Sequence, residues 1–194
     1  MPVDRLVVAS QNPDKVAEIE HVLGDLSHPI TIVRGLDWPE IEETEDTLEG
    51  NAILKAQTVA ATTGIASLAD DTGLEVDALD GAPGVFSARY AGSDATYDDN
   101  VAKLLGAMEG VDDRAARFRT AMAIVTPSGS QLVVHGTLEG TIAHARRGAG
   151  GFGYDPVFLV GDRTLAELPA GEKNRISHRA LAIGALVAAL QNGA

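Results

Sequence analysis

The chain opens on the stretch RLVVASQNPDKVAEIEHVL, residues 5–23, in which a short apolar run leads through a polar turn into an amphipathic pattern. Its first five residues are mostly apolar, which is typical of a buried strand. Val16, Ile19 and Leu23 recur at a spacing that puts them on one face of a helix. A second strand is predicted at residues 30–33. This order of strand, loop, helix and strand predicts an α/β fold.

The turn inside this stretch is the first candidate for ligand binding. It would present backbone N–H groups and Lys15 at a helix N-terminus, where unpaired amides and the helix dipole favour an anion such as phosphate. Ser10 and Asn12 could add donors, and Pro13 suits the first turn of a helix that Asn12 would cap. An ordinary βα loop with a capped helix is the alternative. The sequence G-x-x-x-x-G-K-[ST] does not occur, so a P-loop is not supported.

The rest of the chain continues to alternate helices and strands. Thr96 with Asp99 has the spacing of a helix N-terminal cap. Glycines at 136 and 140 predict bends in a long antiparallel hairpin. The further predicted elements are a helix from about residue 48 to 62 with Leu48, Ala52, Ala56 and Val59 on one face, a strand at 65–69, a helix ending near residue 108, a hairpin of 118–126 and 131–145, and a closing helix at 177–191.

Two adjacent carboxylates, Asp70 and Asp71, follow a predicted strand directly. The carboxyl ends of strands commonly border ligand crevices in α/β sheets. Such a pair can hold Mg²⁺, which takes oxygen ligands, or can deprotonate an attacking water. Turns also use Asp for purely local hydrogen bonds, so both interpretations stay open. The acidic run at residues 40–49 could supply a third carboxylate, from Glu42 or Glu43, or be only a solvated face.

A glycine-rich loop at residues 148–153 matches G-x-G-x-x-G literally. No evident strand precedes it, and Pro156 stands where a helix would begin, so a dinucleotide site is rejected. We predict instead a loop that presents Phe152, Tyr154 and Asp155, whose aromatic face and carboxylate could meet a purine. A tight turn with Phe152 in the core is the alternative.

Basic and imidazole side chains gather where the last helix is predicted to start: Lys173, Arg175, His178 and Arg179. They could donate hydrogen bonds to a base carbonyl or to phosphate. A solvated helix end is the alternative.

Composition narrows the class of protein. Lys and Arg number 15 against 28 Asp and Glu, so the net charge of −13 disfavours nucleic-acid and anionic-membrane partners. The absence of cysteine excludes disulfides, thiolate metal sites and a thiol nucleophile. No signal peptide and no apolar run of about 18 residues is found, so we expect a soluble cytoplasmic protein.

Six stretches together resemble the inosine/xanthosine triphosphate pyrophosphatases, which remove non-standard purine nucleotides. They occur in the family's order and extend over nearly the whole chain. The stretches are residues 8–15 (VASQNPDK), 49–52 (EGNA) with Lys55, 69–74 (ADDTGL), 81–84 (GAPG) with 87–90 (SARY), 151–156 (GFGYDP), and 177–179 (SHR).

The resemblance implies an elongated α/β fold with a mixed sheet and helices. In it, residues 1–194 form a single domain whose two lobes flank a central nucleotide-binding cleft. It also implies a homodimer and a Mg²⁺-dependent enzyme. That enzyme would hydrolyse the purine nucleoside triphosphates ITP, dITP and XTP to the monophosphate and pyrophosphate, and so cleanse the nucleotide pool.

The resemblance also implies roles for individual residues. Asp71 would be the general base, and Glu43 and Asp71 the metal-binding carboxylates. The residues implied to bind substrate are Ser10, Gln11, Asn12, Pro13, Asp14, Lys15, Lys55, Thr72, Phe152, Gly153, Tyr154, Asp155, Lys173, His178 and Arg179.

Base selection is a further hypothesis. Donors on His178 or Arg179 would pair with the 6-keto oxygen of hypoxanthine or xanthine and leave adenine poorly matched. Two other functions stay open. A non-catalytic nucleotide-binding module could use the same loops, but would have little use for Asp70 and Asp71. An enzyme of similar fold could act on modified pyrimidine triphosphates.

Overall fold

The opening stretch folds as a strand, a helix and a second strand, as its apolar pattern predicts. The computed structural model describes residues 3–10, 13–24, 26 and 29–192, with the backbone alone for residues 13–15, 17 and 18. Val16, Ile19 and Leu23 are buried on one face of the first helix, which confirms the predicted helical period. The predicted cap at Asn12 lies outside the described residues.

The elements follow one another in an α/β order. The strands are β1 (Arg5–Val8), β2 (Thr31–Ile32), β3 (Ser67–Val76), β4 (Pro83–Gly84), β5 (Ala115–Val125), β6 (Gln131–Ile142), β7 (Phe158–Val160) and β8 (Arg163–Thr164). The helices are α1 (Pro13–Gly24), α2 (Leu48–Thr63), α3 (Tyr97–Ala107), α4 (Ala170–Ile176) and α5 (His178–Asn192), with short 3-10 helices at Asp77–Leu79, Ser87–Arg89 and Leu165–Glu167.

The chain divides into two compact units. The first unit comprises residues 1–71, 120–136 and 181–194. Its strands follow the order β2-β1-β3-β5-β6, and β1 lies parallel to both of its neighbours. Buried apolar side chains from these strands, from α1 and from α5 form its core, including Leu6, Leu68, Met122, Ile124 and Leu186.

The second unit comprises residues 72–119 and 137–180. Its strands follow the order β4-β3-β5-β6-β7-β8, with antiparallel pairing of β3 with β4 and along β6, β7 and β8. The sheet pairings are therefore mixed, which confirms the predicted α/β class. The core of this unit includes Leu74, Leu104, Val157 and Phe158.

Gly140 marks a close approach between β6 and β7. A Cβ atom at this position would lie 2.3 Å from the Leu159 carbonyl oxygen and 2.6 Å from the Phe158 ring. The absence of a side chain is therefore what lets β7 pair closely with β6.

The predicted hairpin, the cap of α3 and the apolar face of α2 are confirmed. Backbone hydrogen bonds from Ile142 N to Arg114 O (2.9 Å) and from Thr126 N to Ser130 O (2.9 Å) show that β5 and β6 run antiparallel. The helix α3 begins with the predicted capping box, in which Thr96 and Asp99 each accept from the other's backbone N–H. The predicted apolar face of α2 is buried at Leu48, Ala52, Ala56 and Val59.

Two predicted boundaries are wrong. Asp70 and Asp71 do not form a turn after a strand, because β3 continues through both of them to Val76. Hydrogen bonding to strands on either side outweighs the turn preference of Asp and Gly there. The chain also has a separate helix, α4, before α5, so Lys173 and Arg175 do not lie at the start of the last helix.

Among the described residues, no helix is both long and apolar enough to cross a membrane.

Candidate active site

Two carboxylates in the first unit share one lysine. Lys55 Nζ lies 2.7 Å from Glu43 Oε1 and 3.1 Å from Asp71 Oδ1. The amide nitrogen of Asn51 lies 3.3 Å from Asp71 Oδ2, within reach of a hydrogen bond. We call these four residues, Glu43, Asn51, Lys55 and Asp71, the carboxylate–lysine cluster.

Helix α2 positions two members of this cluster. Asn51 and Lys55 are four residues apart, so both side chains lie on one helix face. The N-terminus of α2 is fixed by Thr47, whose hydroxyl accepts from the Gly50 N–H (3.0 Å), while the other members come from β3 and from the segment before α2. A rigid helix and a central strand therefore hold groups that are distant in sequence.

The segment that carries Glu43 is tied to α2 by a second contact. The Glu45 N–H donates to Asn51 Oδ1 over 3.0 Å. Gly50 allows this close approach, because a Cβ atom there would lie only 2.8 Å from Glu45 Cβ. Asn51 is fully buried and thus joins the acidic segment to the Asp71 carboxylate.

Burial raises the pKa of the Asp71 carboxyl above its ordinary value, and the negative charge of Glu43 adds to the increase. The Lys55 ammonium opposes the shift without cancelling it. Burial alone would lower the pKa of Lys55, but the charges and hydrogen bonds of Asp71 and Glu43 outweigh it and the pKa is raised. Burial is thus the main cause at Asp71, and the two carboxylates are the cause at Lys55. Because two carboxylates surround one ammonium, the cluster has excess negative charge and attracts a proton or a cation.

The structure brings together three of the residues singled out by the sequence, Glu43, Lys55 and Asp71. Of the two candidate glutamates, Glu43 contacts Lys55, whereas Glu42 is exposed. Sequence reasoning gave no role to Asn51. The available signal was a polar residue four positions before Lys55 on a helix that is otherwise apolar around it.

The second unit holds another cluster, built around an exposed aromatic ring. Asp155 Oδ2 accepts from the Phe152 N–H (2.8 Å) and also contacts Lys173 Nζ. Lys173 Nζ lies 4.6 Å from the centroid of the Phe152 ring, which is cation–π distance. The Tyr97 ring lies beside Phe152, with 6.3 Å between centroids. We call Tyr97, Phe152, Asp155 and Lys173 the aromatic–lysine cluster.

Only one of the three side chains expected on the glycine-rich loop is exposed. Phe152 is 59% exposed, so the alternative of a core phenylalanine is wrong. Asp155 is 4% exposed, because its carboxylate turns inward to Lys173 and the Phe152 N–H. Tyr154 is also buried; its hydroxyl donates to the Ser87 carbonyl (2.9 Å), and burial raises its pKa. The prediction that the loop presents Tyr154 and Asp155 is therefore wrong.

The imidazole of His178 stacks on the Phe118 ring, with centroids 4.9 Å apart and planes at 26°. The stack fixes the plane of the imidazole at the start of α5. Ser177 precedes it and its hydroxyl accepts from the Ala180 N–H (3.1 Å), as an N-cap does. Arg179 follows in the same turn.

The first loop is described only in part. Ser10 is half-buried and lines a cavity of about 200 Å³ together with Arg34 and Trp38. Gln11 and Asn12 lie outside the described residues, as do the side chains of Pro13, Asp14 and Lys15. Thr72 follows Asp71 in β3 and is half-buried, and Gly153 has a positive φ of 59° in the glycine-rich loop.

The chain is an α/β protein with a mixed sheet. Its candidate functional groups include two carboxylates that share Lys55 and, in the second unit, an exposed aromatic ring that contacts a second lysine. Comparison with known proteins gives the family. A model described as the Ham1 family matches residues 6–189, so the chain belongs to the Ham1 family.

Curated relatives match almost end to end. A dITP/XTP pyrophosphatase of Porphyromonas gingivalis is 50% identical over 95% of this chain and 96% of its own length. A dITP/XTP pyrophosphatase of Bacillus licheniformis is 48% identical over 95% of this chain and 97% of its own. A solved structure of a HAM1 protein from Coxiella burnetii matches with a TM-score of 0.90 and 45% sequence identity. The match covers 97% of this chain and 98% of that chain.

Proposed function

We propose that the protein hydrolyses non-canonical purine nucleoside triphosphates, namely dITP, XTP and ITP, to the monophosphate and pyrophosphate. The observation that carries the proposal is the carboxylate–lysine cluster, in which Asp71 and Glu43 converge on Lys55. The near full-length relatives named dITP/XTP pyrophosphatase support both the reaction class and the purine substrate. The chain is accordingly a nucleoside triphosphate pyrophosphatase.

Asp71 is the proposed general base. Its raised pKa makes the carboxylate a stronger proton acceptor than an exposed aspartate. A water attacks a phosphorus atom of the triphosphate and its proton passes to Asp71, while the phosphoanhydride bond breaks and pyrophosphate leaves with the bonding electron pair. Asn51 holds one carboxylate oxygen in place.

Lys55 is proposed to bind phosphate. Two of its three ammonium hydrogens account for the bonds to Glu43 and Asp71. The third hydrogen has no acceptor among the described residues and can bond to the substrate. A phosphate oxygen suits such an ammonium donor. Lys15 is proposed for the same task on the resemblance alone.

The cluster also fits Mg²⁺. Its carboxylate oxygens are the ligands this ion prefers, and the excess negative charge around Asp71 is what a cation relieves. In the part of the chain that the structure describes, no group of three or more His, Asp or Glu is arranged to hold a metal. Waters and substrate phosphates would therefore complete the coordination, as is usual for this ion. Bound there by Glu43 and Asp71, Mg²⁺ would neutralise charge on the phosphate oxygens.

The exposed ring of Phe152 is proposed to stack on the purine. Its underside is occupied by Lys173, which Asp155 holds in turn, so Asp155 acts by supporting the ring rather than by bonding the base. The fixed imidazole of His178, or Arg179 beside it, is proposed to donate to the 6-keto oxygen. Adenine offers a 6-amino donor instead, and such a mismatch can discriminate by about 10⁴-fold.

Pyrophosphate release tests the function directly. We expect release from dITP, XTP and ITP with Mg²⁺, little release without it, and a much lower kcat/KM for ATP. GTP shares the 6-keto group and differs in its 2-amino group, so it tests whether the 2-position is also read. Stoichiometric binding of dITP with no pyrophosphate formed would contradict the proposal, and equal kcat/KM for dITP and ATP would refute the base selection. The homodimer and the cytoplasmic location stay predictions.

A further inference from the structure

Tyr97 is an exposed aromatic residue with no evident structural task. It is the first residue of α3 and its side chain is 59% exposed. The cap of this helix is made by its neighbours Thr96 and Asp99. The centroids of the Tyr97 and Phe152 rings nevertheless lie 6.3 Å apart, with 40° between the ring planes. This distance is within the range of favourable aromatic pairs.

A second contact joins the same turn of α3 to the glycine-rich loop. Arg146, just before the loop, places Nη2 at 2.6 Å from Asp98 Oδ1. Both side chains are largely exposed, so this pair contributes little to stability. It shows, however, that the first turn of α3 lies beside the segment that leads into the loop, as the contact of Tyr97 with Phe152 also does.

We propose that Tyr97 is a positioning residue for base recognition: it holds the Phe152 ring in the orientation on which a purine stacks. The inference rests on the proposed function, because it takes Phe152 as the ring that meets the base. Phe152 stands between Gly151 and Gly153, both with positive φ, so neither flanking residue has a side chain to brace the ring. Lys173 supports one face of the ring, and the neighbouring Tyr97 ring limits its movement.

The effect is expected in KM. Without Tyr97 the ring must lose more freedom when the base stacks, so binding weakens. The ring meets the base in the ground state and in the transition state alike, so kcat changes little. We expect Tyr97→Ala to raise KM about three- to tenfold, which corresponds to the loss of one aromatic pair. Stacking is indifferent to the identity of the base, so dITP and XTP should be affected equally.

Three comparisons separate this role from general damage to the fold. Tyr97→Phe keeps the ring and should restore the KM of the unsubstituted protein. Phe86→Ala removes another aromatic residue of the same unit that is 55% exposed and contacts Arg89 instead, and should leave KM unchanged. Inorganic tripolyphosphate has no base, so its inhibition constant should be the same for Tyr97→Ala and the unsubstituted protein.

The proposal is overturned if Tyr97→Ala leaves the KM for dITP unchanged, if Tyr97→Phe does not restore it, or if Phe86→Ala raises it equally. A matching rise in the tripolyphosphate inhibition constant would also overturn it, because the defect would then not concern the base. Failure of the proposed function would be seen separately, as an unsubstituted protein that releases no pyrophosphate from dITP.

Discussion

Asp71 combines two properties that a general base needs. Its carboxylate is buried enough for its pKa to rise, while two donors, Lys55 and Asn51, favour the ionised form and fix its orientation. Since Lys55 lowers the pKa of Asp71 while burial and Glu43 raise it, the lysine extends to lower pH the range in which Asp71 can accept a proton.

Replacing Lys55 should therefore shift the pH profile in a defined direction. In Lys55→Met the positive charge is lost, so the pKa of Asp71 rises further and the acid limb of kcat/KM moves to higher pH. The plateau value of kcat/KM should also fall, by about 10²-fold, because the proposed donor to phosphate is lost. Initial rates from pH 5 to 9, on protein shown to be folded by circular dichroism, give both values.

The matched control is Lys103→Met, which removes a lysine that contacts the Tyr90 ring rather than a pair of carboxylates. Its acid limb should coincide with that of the unsubstituted protein. An acid limb that stays in place in Lys55→Met, or moves to lower pH, would contradict the electrostatic role given to Lys55.

The glycine-rich loop, which is proposed to bind the base, shows why particular glycines matter. A Cβ atom at Gly151 would lie 2.0 Å from Asp155 Oδ2, the oxygen that holds both the Phe152 N–H and Lys173. Gly153 also has a positive φ, but a Cβ atom there would meet nothing within 4 Å. A side chain at either position would strain the backbone, but only one at Gly151 would also collide with Asp155.

This difference predicts unequal effects of the same substitution. Gly153→Ala should lose about 1–2 kcal/mol of unfolding free energy, from left-handed strain alone. Gly151→Ala should lose more and should also raise the KM for dITP, because the carboxylate must leave its partners. Urea unfolding and initial rates measure the two effects. Equal losses of stability with an unchanged KM would show that Asp155 does not organise the loop.

Helix faces and the hairpin could be predicted from sequence because their signals are local. The apolar spacing of α1 and α2 and the Thr96–Asp99 cap involve residues within a few turns of each other. The continuation of β3 through Asp70 to Val76 could not be predicted, because it depends on strands distant in sequence that pair with β3. The helix α4 was missed since its seven residues are too few for a clear period.

The candidate site, like the fold, could be predicted only in part. Residue types and order drew attention to Glu43, Lys55 and Asp71, but only the fold shows that they meet at one ammonium. Asn51 was missed because an amide on a helix gives no chemical signal until its partners are known. The inward turn of Asp155 likewise depends on Lys173, eighteen residues away on α4.

Over the whole molecule, the chain passes repeatedly between the two units, so that β3, β5, β6 and α5 each contribute residues to both. Each unit has its own core and its own polar cluster. The net charge of −13 means that acidic side chains outnumber basic ones, and two half-buried lysines, Lys55 and Lys173, are each held by carboxylates. An acidic protein that binds a polyanion requires such fixed cations.

The most direct test is the rate of pyrophosphate release from dITP in Mg²⁺ by Asp71→Asn. The substitution keeps the size of the side chain and removes the proton acceptor. Asp80→Asn is the matched control, because Asp80 is exposed and has the left-handed backbone that Asn tolerates. We predict a loss of about 10²- to 10⁴-fold in kcat for Asp71→Asn at an unchanged fold, and no loss for Asp80→Asn. Near-normal release by Asp71→Asn would contradict the account.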